Sequence, residues 1–72
     1  MEQEALQSAI KIAGSQATLA RHIGVGQSLV WYWLHGPKRV AAEYALAVER
    51  QTGVSRHELR PDLYPLEEQD TA

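Results

Sequence analysis

Apolar residues recur along this chain at helical spacing and are interrupted at short intervals by glycine. Leu6, Ala9, Ile10 and Ala13 stand at i, i+3, i+4 and i+7 and predict a helix over residues 4–13. Glu2 and Glu4 suit the positive end of its dipole, and Gly14 ends it. Leu19, Ala20 and Ile23 mark a second helix over residues 16–23, with Ser15 placed to cap its free amides. Gly24-Val25-Gly26 is a turn. Val30, Trp33 and Leu34 mark a third helix over 27–34, which Gly36 closes and Pro37 prevents from continuing. A fourth helix is expected over 41–52, packing through Tyr44, Ala45, Leu46 and Val48 and ended by Gly53. Ser55-Arg56-His57-Glu58 has capping-box spacing and predicts a single helical turn, which Arg60-Pro61 ends. Leu59, Leu63 and Tyr64 then read as an extended arm with apolar teeth, which wraps its own domain or adds to a partner.

Residues 16–34 organise the rest. The inner faces of the second and third helices must bury against each other across a sharp angle, and the small Ala20 lets them approach closely. Apolar Leu19, Ile23, Val25, Val30 and Trp33, with Gly24 at the turn, give the spacing of a helix-turn-helix. The fold expected is an all-α bundle of four helices plus a short C-terminal turn, with one domain over residues 1–65 and an acidic, disordered tail over 66–72.

Burying Val30 and Trp33 turns Gln27, Ser28, Trp31 and Tyr32 outward. The N-terminal residues of a recognition helix meet base edges in the major groove. A Gln amide donates and accepts together, which matches adenine, and a Ser hydroxyl serves almost any base. Gln27, Ser28, Leu29, Trp31 and Tyr32 are therefore the candidate base-reading residues. A Gln-Ser pair is also an ordinary solvated start to a helix. Trp31 and Tyr32 have three readings: contact with thymine methyls and sugars, folding over neighbouring helices, or contact with a protein partner. Candidate phosphate contacts are Gln16, Arg21, Lys38 and Arg39. Gln16 opens the second helix, where amides and dipole favour an anion. Lys38 and Arg39 are adjacent basic residues directly after the third helix.

The string GVGQSLVWYWLHG resembles the recognition segment of phage Cro-type repressors. Together with AVERQTGVSRHELRPDLYP it is similar to the YdaS-type, Cro-like repressor and antitoxin family of bacterial prophages, from about Ala5 to Pro65. The chain departs from the family's small or polar residues at Trp31 and Tyr32. The resemblance implies a small all-helical DNA-binding domain, bacterial or phage-encoded, that represses transcription, commonly as a dimer; a soluble, cytoplasmic setting is the default expectation from the lack of a signal-like or membrane-spanning run.

Charge complicates this picture. Seven Lys and Arg stand against nine Asp and Glu, a formal net charge of −2. Three of the acids, Glu67, Glu68 and Asp70, lie in the last seven residues, which leaves seven against six for residues 1–65. Local field governs the encounter with phosphate more than net charge does, but few phosphate contacts and a shallow salt dependence follow. There is no cysteine, hence no disulfide and no thiolate metal site. MEQEALQ is acidic rather than basic and does not read as a signal peptide, and no apolar run approaches the roughly 20 residues a bilayer requires. His22, His35 and His57 are scattered, without the spacing of a metal site, and no nucleophile motif or glycine-rich phosphate loop is present. Neither an enzyme nor a cofactor is expected. The partners expected are a double-stranded operator and a second copy of the chain. The alternative is an antitoxin-like interaction module whose main partner is a toxin or another regulator.

Overall fold

The computed structural model describes residues 2–65, and the expected acidic tail lies outside them. The described chain is all-helical: α1 (Glu2–Ala13), α2 (Gln16–Ile23), α3 (Gln27–His35), α4 (Ala45–Thr52) and the one-turn α5 (Arg56–Leu59). The four-helix bundle with a short C-terminal turn is therefore observed. A 3₁₀ turn, Ala42–Tyr44, leads into α4.

Local chemistry sets the α2–α3 pair. Ser15 is extended, and its Oγ accepts from the Thr18 amide at 3.1 Å, which satisfies one of the orphan donors of α2. Gly24 takes the left-handed conformation at φ 79°. Its amide donates to the Arg21 carbonyl, and the Val25 amide donates to the Ala20 carbonyl at 2.9 Å. These two bonds close the helix as a Schellman motif and swing the chain into α3. Leu19 and Ala20 of α2 and Val30 and Trp33 of α3 are buried in one common core.

The rest of the chain covers this pair. Ala5, Leu6 and Ala9 of α1, Ala45 and Val48 of α4, Val54, and Leu59 of α5 complete one core, with Ile10, Ala13 and Tyr44 half-buried beside it. Tyr44 packs on Trp33 with ring centroids 5.5 Å apart and planes tilted by 46°, within the favoured range for aromatic pairs.

Four expectations need correction. α1 begins at Glu2 rather than at residue 4. The helix expected over 41–52 is broken: Ala41 is extended, and Tyr44 has φ −106° and ψ −1°, which ends the 3₁₀ turn before α4 starts. Leu46 is 42% exposed and not a packing residue, because one step of about 100° past the buried Ala45 carries it away from Val48. Val40, outside the expected helices, is by contrast fully buried. Last, the arm is not extended. Leu59 lies fully buried in α5, and the Leu63 and Tyr64 amides both donate to the Arg60 carbonyl, at 3.1 and 2.9 Å, folding the chain into a turn.

Candidate nucleic-acid interface

α3 has one buried and one exposed side. Val30 and Trp33 are buried, while Gln27, Ser28, Trp31, Tyr32 and His35 are exposed. Leu29 is partly buried and packs against the core, so only part of its side chain is left for a ligand. The helix starts from Gly26, which provides no side-chain cap. Among the described residues neither Gln27 nor Ser28 makes a side-chain hydrogen bond, so both polar groups are unspent at the end of α3 that a groove would receive.

The aromatics fold back on their own helix, not over its neighbours. Trp31 is 53% and Tyr32 56% exposed. The Trp31 ring stacks on His35, with centroids 4.2 Å apart and planes at 22°, and the His35 Nδ1–H donates to the Trp31 carbonyl at 3.0 Å. Tyr32 lies against Gly36, where a Cβ would stand 3.0 Å from Tyr32 Cε1 and 2.8 Å from its carbonyl oxygen. Gly36 thus ends the helix and also leaves the room that Tyr32 occupies. His35 belongs to the exposed face, a place its i+4 spacing from Trp31 already indicates.

The candidate phosphate contacts divide. Arg21 and Lys38 are exposed and make no ion pair among the described residues. Gln16 is half-buried at the start of α2, and its Oε1 is buried without a hydrogen-bond partner. The amide nitrogen is the end that could donate to a phosphate. Arg39 is already engaged: its guanidinium lies 3.1 Å from Glu2 and 3.6 Å from Asp62. The sequence pairs Lys38 with Arg39, but the structure separates them into an open cation and a tied one.

Arg39 is part of a larger network. Arg60 holds both carboxylate oxygens of Asp62, at 3.0 and 2.8 Å, and donates to the Val40 carbonyl at 3.0 Å. The Arg60 guanidinium holds the Asp62 carboxyl well below its usual 3.8, at about 2. Arg60 itself is raised by the same hydrogen bond. At the start of α5, Arg56 pairs with Glu49 at 3.2 Å and lies 5.5 Å over the Tyr64 ring.

Charge along the chain favours the α2–α3 side more than the total suggests. Residues 5–42 contain no Asp or Glu, yet hold Lys11, Arg21, Lys38 and Arg39. The acids lie in α1's first turn and from Glu43 onward. Among the described residues no helix is long and apolar enough to cross a membrane, and no group of three His, Cys, Asp or Glu could hold a metal ion.

A small helical bundle with a tight α2–turn–α3 pair and an exposed polar start to the second of them defines a helix-turn-helix protein. Comparison with known proteins gives the family: the model described as "Bacterial toxin YdaS" matches residues 6–68, and the chain belongs to that family. It is similar to the "Putative transcriptional regulator YdaS" of Escherichia coli (strain K12), 36% identical over 64 residues. That match covers 86% of this chain and 65% of the relative, so the chain spans less than two-thirds of the relative's length. No solved structure matches.

Proposed function

We propose that this protein is a sequence-specific DNA-binding regulator of transcription, not an enzyme, that reads the major groove with α3. The observation that carries the reading is the two-sided α3, with Val30 and Trp33 buried and the unspent Gln27 and Ser28 at its open N-terminal end. Gln27 and Ser28 read base edges. Trp31, Tyr32 and the free part of Leu29 make apolar contacts with thymine methyls and sugars. Gln16, Arg21 and Lys38 hold the phosphates, and Arg39 adds to the positive field of a stretch without carboxylates. The protein binds a pseudo-palindromic operator as a dimer, with half-sites about 34 Å apart, and represses by occupying a promoter. The relative described as a transcriptional regulator supports this reading.

A second reading is favoured by the exposed Trp31 and Tyr32 and by the family's description as a toxin: a protein-interaction module with a toxin or another regulator as partner. Selection from a random duplex pool separates the two. The DNA reading expects enrichment of a symmetric site, and about tenfold to a hundredfold weaker binding for Gln27→Ala in a folded domain, the loss of one bidentate base contact. A folded protein that enriches no duplex at low salt refutes it.

A further inference from the structure

Lys38 is the one described residue other than glycine with positive φ, at 65°. Side chains other than those of Gly, Asn and Asp rarely adopt this conformation, because Cβ crowds the following carbonyl. Pro37, which has no backbone N–H to donate, precedes it in the loop that follows α3. A lysine here is locally unfavourable, so something beyond the loop must hold it. A strained residue at an exposed position is a pointer to function when its surroundings over-determine it.

The surroundings do. Arg39, next in the chain, is tied to Glu2 at 3.1 Å and to Asp62 at 3.6 Å. Val40 is fully buried, and its carbonyl accepts from Arg60 at 3.0 Å. Arg60 is in turn fixed by both oxygens of Asp62. Gly36, on the other side, is held to the end of α3 by its backbone N–H, which donates to the Tyr32 carbonyl at 2.7 Å. The loop is thus pinned at both ends, and the side chain left free between the pins is that of Lys38.

We propose that Arg60 and Asp62 are positioning residues for DNA binding: through Arg39 and the Val40 carbonyl they hold the 36–40 loop so that Lys38 is presented, preorganised, as a backbone-phosphate contact beside the end of α3. This rests on the DNA reading. It gives the Arg-Pro-Asp string a part in binding although it lies more than twenty residues from α3. Arg39 becomes the strut and Lys38 the contact.

The test is a double-mutant cycle of Arg60→Lys and Lys38→Ala, read as duplex affinity across a salt series on the selected site. Arg60→Lys keeps the charge but cannot span two carboxylate oxygens and a carbonyl as the guanidinium does. Either single change is expected to weaken binding about threefold to tenfold and to make the salt slope shallower by about one phosphate, with base preference unchanged. The double variant is expected to lose no more than Lys38→Ala alone. A purely structural role would lower the active fraction without altering the slope. An unchanged slope for Arg60→Lys, or losses that add in full, overturns the proposal, as does tighter binding, which would make Arg39 a masked contact released from its carboxylates. Should Arg60→Lys not fold, Asp62→Asn replaces it in the same cycle, with the same non-additivity expected. A DNA-independent reading accompanies it: the strong intraresidue amide–Hα cross-peak that positive φ gives Lys38 is expected in the parent and lost in Arg60→Lys. A parent chain that binds no duplex overturns the DNA reading and this proposal with it, whereas duplex binding without the Lys38–Arg60 coupling overturns this proposal alone.

Discussion

Residues 15–35 and residues 36–65 are stabilised in different ways. The first stretch is closed by bonds between near neighbours: the Thr18 amide to Ser15 and the Val25 amide to Ala20, with the Gly36 amide reaching back to Tyr32 from just beyond it. It contains no carboxylate and no ion pair among the described residues. The second stretch supplies an arginine to every ion pair described, and its bonds reach far, from Arg60 to Val40 and from Arg39 to Glu2. The consequence is a division of labour. Arg21 in the first stretch is left without an ion pair among the described residues, and in the second Lys38 is open while Arg39, Arg56 and Arg60 are paired with carboxylates.

The contrast is broken most sharply by the two tryptophans. Trp33 is 2% exposed beneath both halves, whereas Trp31 is 53% exposed on α3. Trp33→Ala is expected to cost about 3–5 kcal/mol, a large part of the total stability of so small a domain. Trp31→Ala is expected to change stability within about 0.5 kcal/mol, since it empties no core site. Urea unfolding followed by circular dichroism measures both, and similar losses from the two would refute the two-sided α3.

Leu19 in the first stretch and Leu59 in the second are both fully buried in one core. Leu19→Ala and Leu59→Ala are each expected to cost about 2–5 kcal/mol, with coincident unfolding by far-UV and tryptophan signals. A Leu59→Ala protein that loses α5 while residues 15–35 stay folded would show two cooperative units instead of one.

A smaller pair of changes probes the turns. Gly24 has φ 79°, and a Cβ there meets nothing within 4 Å, so Gly24→Ala carries only conformational strain, about 1 kcal/mol net of the stiffer unfolded chain. Lys38→Gly runs the other way. It relieves the strain at φ 65° and is expected to leave stability equal or improved by up to about 1 kcal/mol, while weakening duplex binding. Shifts in urea midpoint at constant slope measure these effects. A clear loss of stability in Lys38→Gly would mean that its side chain makes contacts that support the fold.

The same contrast explains what the sequence discloses. Ser15, Gly24 and the apolar spacing of α2 and α3 act on neighbours within one turn, so their caps and bounds follow from the chain itself. The Ser55 cap is also local, although its hydroxyl accepts from the His57 amide, one residue short of the capping-box position. Val40, Arg60 and Asp62 are different. Nothing within a turn of Val40 marks it as core, and Arg60 reaches Val40 and Arg39 reaches Glu2 by tertiary approach over 20 and 37 residues, whereas the Arg60–Asp62 pair is local. Leu46 misleads for a different reason: its apolar side chain stands one step of about 100° past the buried Ala45, on the open side of α4. At the site, outward Gln27 and Ser28 follow from burying Val30 and Trp33. The stack of Trp31 on His35 was available from i, i+4 spacing, and the carboxylate-free run from residue 5 to 42 was available from composition.

The smallest effect expected distinguishes the halves by acid alone. Asp62 is held at about 2 by Arg60, below its usual 3.8. A carboxyl depressed in the folded state stabilises fully above its unfolded value and loses that contribution as pH falls through its folded one. The parent chain is therefore expected to lose the Asp62 contribution between about pH 4 and pH 2, and Asp62→Asn to lack that component of the decline. The two stability curves should run parallel at neutral pH and converge towards pH 2. Because Asp62 is exposed, added salt should shrink the difference, as screening acts most on open pairs. Residues 15–35 have no carboxyl to protonate, so no substitution there should alter the profile in this window. Urea midpoints of the parent and Asp62→Asn chains across that range check it. Curves still separated by the neutral-pH gap at pH 2 would show that the Arg60–Asp62 pair does not set the acid response of the second half.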